Sequence, residues 1–283
     1  MKIIECPRDA MQGIDEFIPT DKKVAYLNQL LQVGFDTIDF GSFVSAKVIP
    51  QLKDTVEVLN RLDLSTTKSK LLAIVANTRG AQEASAHEAI TYLGFPLSIS
   101  ETFQVRNTNK TIAEALNTVD EIQNVCIRTG KTLVTYISMG FGNPYGDRYD
   151  LDLVTQFVGI LDALHINIIS LSDTIGVSQP DQLKHLFGSL TKQYPHMEFG
   201  AHLHSHPATA LKKIEAAFAS GCQRFDGALK GFGGCPLAED ELVGNLATET
   251  LISFLDKQEV VLNLNRAALQ KSMALAEVTF PNH

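Results

Sequence analysis

The segment from 132 to 204 decides the fold. It reads TLVTYIS (132–138), LDLVTQFVGILDAL (151–164), INIISL (166–171), PDQLKHLFGSLTKQ (180–193) and EFGAHLH (198–204). The first, third and fifth pieces are short, apolar and β-branched, as strands are. The second and fourth are longer and carry apolar residues at helical spacing. Parallel strands need a crossover of a dozen or more residues, and a helix supplies it. Outward from this segment the same alternation continues. Strands are predicted at Lys2–Cys6, Thr37–Phe40, Lys70–Val75, Leu97–Ser100, Thr132–Ser138, Ile166–Leu171, Glu198–His204 and Arg224–Ala228. Helices are predicted at about Thr20–Val33, Ile49–Arg61, Gly80–Ala89, Lys110–Arg128, Leu151–Leu164, Pro180–Gln193, Pro207–Ser220 and Val243–Asp256. Thr20 is a suitable N-cap and Pro180 a first-turn proline. Gly34, Gly130 and Gly221 stand at helix ends.

Eight strand–helix units without a linker point to a single α/β domain over 1–283, a (β/α)8 TIM barrel of the usual ~250 residues. A final helix, about Asn265–Val278, is left over to pack outside. The competing layout is an open doubly wound sheet, which has the same alternation but usually fewer units.

Composition bounds the function. The 283 residues are 45% hydrophobic and 20% charged, with a formal charge of -8, and the charges are interspersed. A basic field for nucleic acid is therefore not expected. The longest run without Asp, Glu, Lys or Arg is Thr132–Gly146, broken by glycines and Pro144 and too short for the ~20 apolar residues of a membrane helix. Cys6, Cys126, Cys222 and Cys235 form no CxxC. That suits a reduced, cytoplasmic protein, and the opening MKIIECPRDA carries no signal-peptide pattern. No GxxxxGK[ST] or GxGxxG loop supports a kinase or dehydrogenase.

In a TIM barrel the active site lies at the C-terminal ends of the strands. Arg8-Asp9 follows the first strand, Asp39 and Ser42 close the second, and Asn77 follows the third. Met139–Asp147 forms a glycine-rich rim after the fifth, and Ser170-Leu171-Ser172-Asp173 closes the sixth. His202 and His204 end the seventh; two residues apart, they point to one face. After the eighth comes Gly231-Phe232-Gly233-Gly234-Cys235-Pro236, a glycine-rich loop that reads as a lid, and then Asn245. Each has a plainer reading: a salt-bridged loop for Arg8-Asp9, core histidines, a loop turn for Asp173, an inert thiol for Cys235, and an N-cap for Asn245. Their convergence at strand ends favours a metal-assisted enzyme. Two imidazoles with a carboxylate and an amide suit Mg2+ or Mn2+, with Zn2+ or Fe2+ as alternatives.

The segments PRDAMQ (7–12), SFVSAKVIPQ (42–51), SLSDTIGV (170–177), AHLH (201–204), GFGGCP (231–236) and GNLATE (244–249) resemble those of the 3-hydroxy-3-methylglutaryl-CoA lyase family, among the metallolyase TIM barrels. The resemblance runs essentially end to end. It implies cleavage of 3-hydroxy-3-methylglutaryl-CoA, an acyl-CoA substrate, to acetyl-CoA and acetoacetate by a homodimer. It implies a divalent metal on Asp9, His202, His204 and Asn245, its shell completed by the substrate's hydroxyl and carboxylate. Arg8 would stabilise the enolate oxygen, Cys235 would aid proton transfer, and Asp39 and Asp173 would orient ligands and base. Arg8, Ser42 and Ser170 would bind substrate.

Three positions depart from the family pattern: Asp39 stands for Glu, Ser205-His206 for Asp–Thr, and the acidic 238–242 stretch for small residues. Three alternatives stay open: a related acyl-CoA/2-oxo acid synthase, a metallo-aldolase acting without CoA, and a non-catalytic barrel that binds metal or acyl-CoA. A short C-terminus and the cysteine loop favour the lyase.

Overall fold

A computed structural model describes residues 1–234 and 243–280. Eight parallel strands close into one barrel in chain order. They are β1 (Lys2–Glu5), β2 (Thr37–Ser42), β3 (Lys70–Ile74), β4 (Ile90–Ser98), β5 (Thr132–Ser138), β6 (Ile168–Asp173), β7 (Glu198–Leu203) and β8 (Arg224–Gly227). The helices are α1 (Pro7–Gln12), α2 (Thr20–Leu31), α3 (Thr55–Leu59), α4 (Thr78–Ser85), α5 (Glu101–Thr108), α6 (Ile112–Thr129), α7 (Leu151–Ala163), α8 (Pro180–Gln193), α9 (Pro207–Ala219), α10 (Thr248–Lys257) and α11 (Arg266–Thr279). The closed barrel settles the choice against an open sheet.

Two cores form because each strand buries both faces. Outward residues such as Ile38, Leu93, Ile169 and Phe225 pack against the helices in one large cluster. Inward residues Leu72, Ile74, Tyr92, Val134, Tyr136 and Ile168 form a second cluster that fills the lumen. The leftover helix α11 lies against α2. Asn265 caps it by accepting from the Ala268 N–H at 3.1 Å, and Tyr26 meets Phe280 edge-on at 5.3 Å.

Several local expectations change. The fourth strand starts at Ile90, not Leu97, and ends at Ser98. Gly94 and Pro96 interrupt the strand pattern in the sequence, yet in the barrel Gly94 fits a crowded spot: a Cβ there would fall 2.6 Å from Ile74 Cδ1, and that side chain would have to shift. Pairing with β3 stops at Gly94, so Pro96 withholds its absent N–H from no ladder on that side. The helix expected over Ile49–Arg61 is a 3₁₀ turn, Pro50–Leu52, followed by the short α3. Pro19, not Thr20, is the cap residue of α2. Two helices, α1 and α5, were not expected. Pro7 at the first turn and Asp9 behind it start α1, which turns a strand–loop junction into the helix that carries Arg8 and Asp9.

Candidate active site

A cavity of about 360 Å³ opens at the C-terminal end of the barrel. Arg8, Asp9, Tyr136, His202 and His204 line its polar end, and Val44, Val48 and Phe103 part of its apolar wall. Asp9 and Arg8 sit in the first turn of α1, directly above β1. His202 ends its face of β7, and His204 follows two residues on. Each of Asp9, His202 and His204 offers one ligand atom, and these atoms lie within 4.8 Å of one another. All three residues are buried.

Arg8 is held from three sides. Its Nε and Nη2 donate to Asp39 Oδ2 at 2.9 and 2.6 Å, and its Nη1 donates to Asp9 Oδ1 at 2.8 Å and to Gln12 Oε1 at 2.9 Å. A guanidinium has five N–H donors. Four are assigned among the described residues, and one on Nη2 is left at the cavity. Burial disfavours the Arg8 cation, but Asp39 and Asp9 outweigh it and raise its pKa above the usual range. Burial raises Asp9 as well, yet Arg8 and the imidazoles of His204 and His202 hold its carboxyl far below the ordinary value. Asp39 is pushed up to about 6, by burial first, against the pull of Arg8.

The imidazoles differ. His202 Nδ1 lies 3.1 Å from Asp226 Oδ2, and its ring stands 5.5 Å from Tyr136, edge-on. His204 Nε2 is 3.7 Å from Asp9 Oδ2, and neither ring nitrogen has a hydrogen-bond partner among the described residues. A buried imidazole without partners is unfavourable unless something absent satisfies it. This is the observation by which the residues fit a divalent cation: a carboxylate held ionised, a bare imidazole and a second imidazole converge on one point.

Asn245 joins the cluster from the loop before α10. It pairs with His204 as an antiparallel bridge, and its Nδ2 donates to Asp9 Oδ2 at 2.6 Å and to the Phe232 carbonyl at 2.9 Å. The amide presents its NH2 to Asp9, so its oxygen would face a cation only after the side chain turns. It is not an N-cap: α10 begins three residues later, capped by Ala247. Gly233, at φ +105°, must be glycine, because a Cβ there would collide with Asn245 Nδ2.

The other expected residues lie further off. Asp173 turns outward from the barrel. Its carboxylate accepts from the Val177 and Ser178 N–H groups at 2.9 Å each and pairs with buried Lys213 at 2.7 Å. Its partners belong to the loop after β6 and to α9, so the histidine-orienting contact sought in Asp173 is made by Asp226. Ser42 Oγ accepts from the Val44 N–H at 3.1 Å and lies 3.4 Å from the Ile74 carbonyl. Ser170 lies deep in the lumen with its Oγ 3.3 Å from Asp226 Oδ2. Neither serine lines the cavity. Asn77 caps α4, accepting from the Gly80 N–H at 2.8 Å. Cys235, Pro236 and the 238–242 departure lie outside the described residues.

The sequence reading passed over Gln12, Tyr136 and Asp226. The Tyr136 hydroxyl is buried without a hydrogen-bond partner among the described residues, and the residue lines the cavity. Its signal was present: period two along β5 places Tyr136 and Ser138 on the lumen face.

The family described as HMGL-like matches residues 2–278. A hydroxymethylglutaryl-CoA lyase of Bacillus subtilis is 32% identical over 274 residues, spanning 96% of this chain and 89% of its own. A crystal structure of the Bacillus subtilis HMG-CoA lyase has a TM-score of 0.92 at 30% identity, over 99% of this chain and 93% of that one. The HMG-CoA lyase of Acinetobacter baumannii, solved with coenzyme A and 3-methylmalate, has a TM-score of 0.91 at 29% identity, over 99% and 91% of the two chains. Since the family match spans residues 2–278 and the likeness to the Bacillus lyase covers both chains nearly throughout, the chain belongs to the HMGL-like family.

Proposed function

We propose that this chain is a metal-dependent carbon–carbon lyase that cleaves 3-hydroxy-3-methylglutaryl-CoA to acetyl-CoA and acetoacetate. One observation carries the reading: the ligand atoms of Asp9, His202 and His204 converge within 4.8 Å in the cavity where Arg8 stands. The names of its relatives support the substrate, and coenzyme A in the Acinetobacter structure supports an acyl-CoA.

Asp9, His202 and His204 would hold Mg2+ or Mn2+, or Zn2+, with Asn245 as a fourth ligand once its amide turns. When bound, the cation supplies Lewis acidity that makes the substrate's C3 hydroxyl easier to deprotonate. Loss of that proton breaks the C2–C3 bond, whose electron pair passes to C2 as the acetyl-CoA enolate. The remaining N–H of Arg8 meets the enolate oxygen. Because Asp39, Asp9 and Gln12 already hold the guanidinium, it needs no reorganisation as charge develops. A proton delivered to C2 completes acetyl-CoA, and the family resemblance offers Cys235 for that step.

No helix among the described residues is long and apolar enough to cross a membrane. Cys6, Cys126 and Cys222 are free and buried, which supports a reducing, cytoplasmic setting. A homodimer is the assembly that the resemblance implies, and sedimentation of the purified protein tests it.

The test of function is acetoacetate release from 3-hydroxy-3-methylglutaryl-CoA by metal-stripped protein, with and without Mg2+ or Mn2+. Metal-dependent acetoacetate is the expected result. Mn2+ binding without product would move the substrate to another 3-hydroxyacyl-CoA or a 4-hydroxy-2-oxo acid.

A further inference from the structure

His202 belongs to two groups of possible ligands. One is Asp9, His202 and His204 at the cavity; the other is Cys6, His202 and Asp226 beneath it. A neutral imidazole has one N–H and one lone pair, so it cannot offer a lone pair to both. What decides between them is Asp226.

Asp226 is at the end of β8, with its side chain wholly buried. Its Oδ2 faces His202 Nδ1 at 3.1 Å and the Ser170 hydroxyl at 3.3 Å. An ionised carboxylate only accepts, so Nδ1 must carry the hydrogen and Nε2 the lone pair. The thiol of Cys6 lies 3.8 Å from the Ile4 carbonyl. Behind Asp226 stands Arg224, the bulkiest fully buried side chain. Its Nε lies 4.0 Å from Asp226 Oδ1, and its Nη1 donates to Glu198 at 3.1 Å. Its Nε and Nη2 have no hydrogen-bond partner among the described residues, so Glu198 engages only Nη1 and Nε is left facing Asp226. Gly200 makes room for it, since a Cβ there would fall 2.9 Å from Arg224 Cδ.

We propose that Asp226 is the positioning residue of His202: it accepts the Nδ1 hydrogen and so fixes the tautomer whose Nε2 lone pair faces Asp9 and His204, with Arg224 Nε 4.0 Å behind its other oxygen. The inference rests on the reading of Asp9, His202 and His204 as the metal site. It goes beyond that reading because it assigns the lower group to orientation and not to a second metal.

The test is long-range proton–nitrogen NMR on metal-free protein labelled with nitrogen-15 in histidine, at a pH where imidazoles are neutral. The His202 signals are assigned by their loss in His202→Gln. The expected spectrum is the Nδ1–H tautomer in the wild type. Asp226→Asn should mix the tautomers and weaken Mn2+ binding, followed by the spectrum of free Mn2+, by about 10- to 100-fold, the usual effect of losing such a partner. Arg224→Gln should weaken it less, in the same direction. An Nε2–H tautomer in the wild type, or Mn2+ affinity unchanged in Asp226→Asn, overturns the inference. Wild-type protein that binds no Mn2+ overturns the metal site and this inference with it; wild-type protein that binds Mn2+ with the opposite tautomer overturns the inference alone.

Discussion

Two nitrogens of Arg8 converge on a single oxygen of Asp39, Nε at 2.9 Å and Nη2 at 2.6 Å, while Asp39 Oδ1 has no partner among the described residues. The shorter acid at this position does not release the arginine. It pins the guanidinium from below, and Asp9 and Gln12 hold it from the side. A cation fixed in this way needs no reorganisation to meet charge that develops beside it.

Arg8→Gln should therefore lower kcat by about 10²–10³, the equivalent of roughly 3–4 kcal/mol of oxyanion stabilisation. KM and Mn2+ affinity should change far less. Steady-state kinetics beside a Mn2+ titration separates the two. A variant with near-normal kcat would remove Arg8 from the chemistry.

Among the described residues His204 has no hydrogen-bond partner for either ring nitrogen, so its removal breaks no hydrogen bond there. His204→Ala should fold as the wild type does, yet lose Mn2+ affinity beyond the roughly 10- to 100-fold typical of an outer partner. Calorimetric titration with Mn2+ reads this directly. Equal affinity in the two proteins would exclude His204 as a ligand.

Lys213 and Asp173 form a buried pair at 2.7 Å, and the lysine also donates to the carbonyls of Gly176 and His204 at 2.9 and 3.2 Å. The pair ties the loop after β6 to the strand that carries the histidines. Lys213→Met strands a buried carboxylate and should destabilise the protein by about 3–5 kcal/mol. Adding Asp173→Asn should recover part of that loss, because the uncompensated charge is gone. Thermal unfolding of the single and double variants measures it. A single variant with an unshifted Tm would mean that the pair anchors nothing.

Glu5 sits wholly buried at the end of β1 and accepts from the Leu229 N–H at 2.8 Å and the Thr248 hydroxyl at 2.6 Å. Burial pushes its pKa from an ordinary 4.5 up to about 8, against the pull of those two bonds. The folded state thus holds this proton more tightly than the unfolded chain. Its contribution is complete below pH 4.5 and declines as pH rises to about 8, by about 1.4 kcal/mol per unit at most. Glu5→Gln carries no such proton. The wild type should lose ground to this variant in unfolding measurements between pH 5 and 8, and parallel curves would show that Glu5 ionises freely.

Much of the barrel was legible because its signals are local. β-branched runs and amphipathic runs alternate regardless of what they later touch, and seven of the eight strands lie close to their expected positions. The fourth did not read as a nine-residue strand, because Gly94 and Pro96 look like breakers. The reason for Gly94 lies on the two neighbouring strands, in Ile74 of β3 and Tyr136 of β5, whose side chains crowd position 94.

The sequence by itself determined the units, their order and the pair of histidines, since a period of two places His202 and His204 on one face without outside help. It also put Arg8 and Asp9 at a strand end. Only the tertiary structure decided the partners. Asp173, next to the histidines in strand order, turns out to serve Lys213, while Asp226 from the neighbouring strand serves His202. Alternation sends adjacent residues of a strand to opposite faces, and which face meets an imidazole depends on the register of β7 against β8, where His202 pairs with Asp226. Register is a property of the closed barrel, set by all eight strands together, and no single segment contains it.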